Sequence, residues 1–143
     1  MTTKTLKQTE RGWGGHFMAC SRCLFRRNTL LEYGPLKIVV STVGLMMASE
    51  SEDEQKAIPI GINRYYETMC FYSNPKDTRY HDADVFRGEI SFSSPWAIDR
   101  VDADDEANIM HDNVVAEMRD RLLSEDPLLT EYDEEEKQNV RTH

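Results

Sequence analysis

No stretch of this 143-residue chain is apolar for the about 18 residues that a bilayer-crossing helix needs. The longest apolar run, residues 38–47, is interrupted by Ser41, Thr42 and Gly44. Basic residues near the N-terminus are not followed by an apolar stretch, so no secretory signal is expected. Cysteine is scarce: three residues cannot all pair within the chain, and without an export signal they read as reduced thiols or metal ligands. The glycine-rich phosphate loop, the dinucleotide fingerprint, the H-E-x-x-H zinc motif and the G-x-S-x-G nucleophile elbow are all missing. The common nucleotide and hydrolase chemistries therefore have no support in the sequence.

Positive charge is also in deficit, with 17 Lys and Arg against 26 Asp and Glu, a net charge of −9. The imbalance is graded along the chain. Residues 1–40 hold seven basic and two acidic residues, residues 41–98 five and nine, and residues 99–143 five and fifteen. Such a chain is not expected to bind nucleic acid through its overall field, because phosphate contacts dominate those affinities. A dense acidic surface either keeps a small protein in solution or meets a basic partner, whose encounter it steers.

The length predicts one domain. Residues 1–12 are polar and aperiodic and read as a flexible arm, residues 13–126 as the domain, and residues 127–143 as an acidic tail. From Cys23 a period of two suggests a strand, with Arg27 interrupting its odd-numbered apolar series and so placed near an edge. The turn Tyr33-Gly34-Pro35-Leu36 leads into residues 36–47, rich in β-branched side chains and suited to a central strand. Residues 48–56 are expected to form an exposed loop. Residues 64–73 and 85–93 read as a third and fourth strand. Residues 102–123 predict a helix with Ala107, Met110, Val114, Met118 and Leu122 on one stripe, Val115 and Leu123 widening it, and Asp102 or Asp104 as its cap. The expected fold is α+β: an antiparallel sheet of about four strands with one C-terminal helix packed on one face.

Three local constellations could carry chemistry. His16, Cys20 and Cys23 have spacing compatible with part of a zinc site, although a structural zinc wants four ligands and no second close pair follows. The same residues could form a Cys–His nucleophilic pair, or be buried thiols beside a hydrogen-bonded histidine. The His81-Asp82-Ala83-Asp84 segment could chelate a cation or be a polar loop. Arg22, Arg26 and Arg27, interleaved with aromatics, could bind an anion or pair with the chain's own carboxylates, those of the helix for instance.

The run Gly12-Trp13-Gly14-Gly15-His16-Phe17, followed by Arg22-Cys23-Leu24-Phe25-Arg26-Arg27-Asn28, resembles small uncharacterised proteins of bacteriophages, prophages and conjugative elements. The likeness continues through Ile38-Val39-Val40-Ser41-Thr42-Val43-Gly44, Tyr66-Glu67-Thr68-Met69 and the helix around His111. The resemblance implies the bacterial cytoplasm and an accessory gene of a mobile element; no activity and no catalytic residue come with it. The expected function is an accessory protein that binds and inhibits a basic host protein, such as a nucleic-acid-binding defence component, as anti-CRISPR proteins do. The residues expected to meet that partner are Asp102, Asp104, Asp105, Glu106, Asp112, Glu117 and Asp120. The second class is a small enzyme or zinc-stabilised module centred on His16, Cys20 and Cys23.

Overall fold

The computed structural model describes residues 4–12, 22–48, 56–74, 76–80, 83–84 and 86–129. Its elements follow one another as β1 (Leu6–Arg11), β2 (Cys23–Tyr33), β3 (Leu36–Met47), β4 (Ala57–Ile58), β5 (Tyr66–Tyr72), β6 (Glu89–Ile90), β7 (Ala97–Ile98) and α1 (Asp104–Leu123). Every strand pairing is antiparallel. The sheet runs β1-β2-β3-β5-β6, with β4 added to β3 and β7 to β5. The fold is α+β, with the helix laid across one face of the sheet, as the sequence pattern predicts.

The β2–β3 hairpin is the spine. Its connection has only two residues, Gly34 and Pro35, and Gly34 takes a φ of 58° that a β-carbon would strain. The register places Phe25, Thr29 and Leu31 of β2, Ile38, Val40 and Thr42 of β3, and Tyr66, Thr68, Cys70 and Tyr72 of β5 on the face beneath α1. The opposite face of the central strands is buried too: Asn28, Leu30, Val39, Ser41 and Val43 are each no more than 2% exposed. This is why 36–47 carries apolar residues without alternation.

Beneath the helix the apolar contacts form two clusters. Leu31, Ile38, Val40, Cys70, Tyr72 and Ile90 meet Val114, Val115, Met118 and Leu122 toward the C-terminal half. Phe25 and Tyr66 meet Ala103, Ala107 and Met110 at the N-terminal end. Gly44 makes the second cluster possible, because a β-carbon there would lie 2.2 Å from the Tyr66 ring. Tyr66 in turn packs edge-on against Phe25, with ring centroids 5.6 Å apart.

The structure corrects the sequence reading at several points. Leu6–Arg11 is not a loose arm; it is the edge strand β1, paired along its length with β2, and Leu6 packs against the core. Its polar residues were uninformative because an edge strand buries few of them. Arg27 lies within β2, paired with Thr42 of β3 and one residue past the last β1 pairing at Asn28, and keeps the period: it points to the helix side and reaches a carboxylate there. The fourth strand contracts to Glu89–Ile90, preceded by Gly88 at a φ of 72°. Val85 and residues 49–55 lie outside the described residues. The cap of α1 is Ala103, which has no side-chain acceptor; Asp102 stands just before it with a φ of 54°. Tyr66 substitutes, accepting the Ala103 N–H at 3.0 Å and donating to Asp104 Oδ1 at 2.7 Å. Leu123 is 52% exposed rather than part of the stripe, and His111 takes a place in it.

The boundary at residue 126 also moves. Glu125 adopts a φ of 53°, the chain turns, and Asp126 binds Arg121 Nε through Oδ2 and the Leu128 N–H through Oδ1, at 2.8 and 2.9 Å. That turn delivers Leu129 into the core, 6% exposed. The remainder of the acidic tail lies outside the described residues. Leu129→Ala is expected to cost about 2–3 kcal/mol in urea unfolding, as a buried leucine does; a cost below about 0.5 kcal/mol would place the residue outside the core.

Candidate functional site

Both faces of α1 carry information. On its inner face, His111 is fully buried and lies over the sheet between the two apolar clusters. Its Nε2 is 2.7 Å from Thr29 Oγ1 and its Nδ1 2.7 Å from Thr42 Oγ1. Thr42 Oγ1 lies 2.6 Å from Thr68 Oγ1, and Thr29 Oγ1 is 2.7 Å from Glu10 Oε2. Glu10 accepts from Arg27 at 2.9 and 3.1 Å, and Arg27 donates onward to Asp112 at 2.9 Å. Four strands and the helix thus meet in one polar chain.

The proton positions follow from elementary hydrogen-bond capacity. An ionised carboxylate only accepts, so the Thr29 hydroxyl must give its single proton to Glu10. Thr29 Oγ1 then accepts from His111, which places the ring proton on Nε2. Nδ1 is left as an acceptor and takes the Thr42 proton, and Thr42 in turn accepts from Thr68. Every member is satisfied when His111 is neutral. Burial, aided by the Arg27 charge, pushes His111 down from its ordinary 6.5 to about 4. Burial opposes the charge on Glu10, but the hydrogen bonds from Arg27 and Thr29 and the Arg27 charge outweigh it and hold its carboxyl below the ordinary value.

With no exposure at His111, this network holds the helix to the sheet rather than meeting a substrate. It joins charge, burial and both packing clusters, and the sequence reading missed it. One signal was present: His111 falls on the same helical stripe as Ala107, Met110 and Val114.

On the outer face the seven expected acidic residues divide. Asp104 is held by Tyr66, Glu106 pairs with Arg100, and Asp112 with Arg27. Glu117 accepts the Ser93 and Ser94 N–H groups at 2.8 and 2.9 Å as well as both hydroxyls, pinning the loop that leaves β6. Those bonds outweigh the burial that opposes its charge, and its carboxyl titrates below the ordinary range. Asp102, Asp105 and Asp120 stand exposed. Between them runs a feature the sequence reading did not use: Ile109, 60% exposed, Ala116 and Leu123 follow one another at intervals of seven. A seven-residue interval drifts only about 20° around a helix, so the three make one apolar ridge.

The other candidates fare differently. Of the zinc or nucleophile set, Cys23 opens β2 and is 1% exposed, whereas His16 and Cys20 lie outside the described residues. Burial raises the Cys70 thiol far above its ordinary value, which makes it inert. Among the described residues no group of three or more His, Cys, Asp and Glu is placed to hold a metal ion. His81 and Asp82 also fall outside; Asp84 is buried and accepts the Phe86 N–H, organising a turn. Of the arginine patch, Arg27 pairs internally and Arg22 reaches the Ala48 carbonyl at 3.3 Å. A cleft of about 450 Å³ beside β5 is lined by Arg64, Glu67, Met69, Glu89, Phe92 and Trp96. Arg64 lies 5.0 Å over the Trp96 ring and pairs with Glu67 at 3.5 Å, so its charges answer one another.

Comparison with protein-family models, curated proteins and solved structures finds no match. No helix among the described residues is long and apolar enough to cross a membrane.

The His111 network sets a pH dependence with a definite sign. The unfolded chain binds a proton at His111 below about 6.5, while the folded chain resists it down to about 4. Stability from this group is therefore complete above 6.5 and declines as the pH falls toward 4, by about 3 kcal/mol in all. Urea unfolding across that range, compared with His111→Gln, should show a shallower slope for the variant. An equal slope would assign the titration to another group.

Proposed function

We propose that this chain is a non-catalytic binding protein that engages and inhibits a basic protein of a bacterial host. The concrete form is a phage or mobile-element anti-defence factor of the anti-CRISPR type, acting in the cytoplasm. One observation carries the reading: the outward face of α1 presents an apolar ridge set among carboxylates. The helix carries six acidic residues and two basic ones. Exposed apolar side chains bordered mainly by acidic residues suit a protein partner of opposite charge, with the ridge supplying desolvation and the acids supplying steering. The sequence resemblance to mobile-element proteins supplies the cellular setting. A partner whose Lys and Arg normally meet nucleic acid has that charge. Of the seven acids, Asp102, Asp105 and Asp120 are the ones oriented to meet it; the other four spend their charge on holding the fold.

The test is affinity capture from a bacterial lysate with three forms of the protein: the wild type, Asp105→Lys/Asp120→Lys, and Glu89→Lys as an acidic control away from the ridge. A basic protein retained by the wild type and the control, lost by the double variant, and released between about 0.1 and 1 M salt supports the proposal. Retention that ignores the helix substitutions, or resists salt, contradicts it. Circular dichroism should show all three forms equally folded, since these exposed positions change stability by about 0.5 kcal/mol or less.

A further inference from the structure

We infer that the element the partner presents to α1 is itself an amphipathic helix, lying along the ridge with its apolar row bordered by lysines or arginines. The inference rests on the binding role proposed above and specifies the shape of what is bound.

Three features of the ridge select a helix over a loop or a flat patch. The first is its line. Ile109 and Leu123 are 14 residues apart, which is about 21 Å of helix axis, and Ala116 lies midway. A row spaced by sevens is followed over its length by another helix crossing at about 20°, whereas a turn or a single side chain would meet one member. The second is the small residue at the centre. With only a methyl group at Ala116, the two backbones can approach most closely at the middle of the contact, while Ile109 and Leu123 grip the ends. The third is the charge on the flanks. Asp105 borders the row on one side and Asp120 on the other, both exposed; Asp112 and Glu106, which share those flanks, are already paired with Arg27 and Arg100. A partner helix with basic residues on both sides of its own apolar row answers that arrangement.

The same flanks argue against a second copy of this chain as the occupant. Two α1 helices laid ridge to ridge would bring acidic flank against acidic flank, and like charges at such spacing are destabilising. Arg119, the basic residue beside the row, is already committed to Gln8 at 2.7 Å.

The experiment uses the full chain and two synthetic probes of identical composition. One is a peptide of about 21 residues with leucine at every seventh position, lysines on both sides of that row, and alanine elsewhere. The other has the same residues scrambled to destroy the row. Fluorescence anisotropy should show the patterned peptide binding at least about tenfold tighter than the scrambled one. Ile109→Glu/Leu123→Glu should abolish that preference, and Ile62→Glu, exposed elsewhere at 89%, should keep it.

Equal binding of the two peptides would overturn the helical inference and leave a merely acidic docking surface standing. Failure of both to bind, even at low salt, would overturn the inference together with the proposed function. Sedimentation of the protein alone should show a monomer. A dimer abolished by Leu123→Glu would assign the ridge to self-association and overturn the inference as well.

Discussion

A carboxylate cannot donate a hydrogen bond, and the way α1 is seated depends on that fact. Glu10, fixed by Arg27, takes the only proton Thr29 has, and this choice propagates through His111 to Thr42 and Thr68. The helix is joined to β2 and β3 by a polar chain with one direction, in the gap between two apolar clusters. Apolar packing alone tolerates small slides of a helix over a sheet. Two 2.7 Å bonds on opposite nitrogens of one ring do not, because a slide would leave buried polar atoms unpaired at about 1–3 kcal/mol each. The network therefore fixes the rotation of α1, and the rotation decides which residues face outward.

The proposed binding role lies on that outward side. With His111 turned in, Ile109, Ala116 and Leu123 are turned out. Four of the nearby acids brace the structure: Asp104 through Tyr66, Glu106 through Arg100, Asp112 through Arg27 and Glu117 through the Ser93–Ser94 backbone. The acidic character of the helix thus serves two ends. Part of it builds the helix ends and their connections, and part stands exposed, where the proposed partner would meet it. Charge counted from the sequence cannot separate the two, because an acid that caps a loop and an acid that meets solvent look the same.

The fold was largely legible, and its legibility tracks periodicity. The spacing of Ala107, Met110, Val114, Met118 and Leu122 identified α1 and its buried face, and the β-branched run from Leu36 identified the central strand. What escaped were elements whose residues are set by neighbours. Leu6–Arg11 is polar because it lies at an edge, and Leu129 is buried because Asp126 turns the chain after α1. The internal pairing of the arginine patch was among the alternatives open to the sequence, and Arg27 realises it. The His111 network was not legible. It draws Glu10, Thr29, Thr42 and Thr68 from four strands, and no spacing along the chain marks residues that only the register brings together.

The ring of His111 reports on this arrangement directly. Long-range nitrogen–proton correlation NMR near pH 6.5, assigned with the His111→Gln variant, distinguishes the two neutral tautomers from the charged form. A neutral ring with its proton on Nε2, staying neutral until the pH approaches about 4, is the expected result. A proton on Nδ1, or a ring that charges near its ordinary 6.5, would contradict the directed network and with it the fixed seating of the helix.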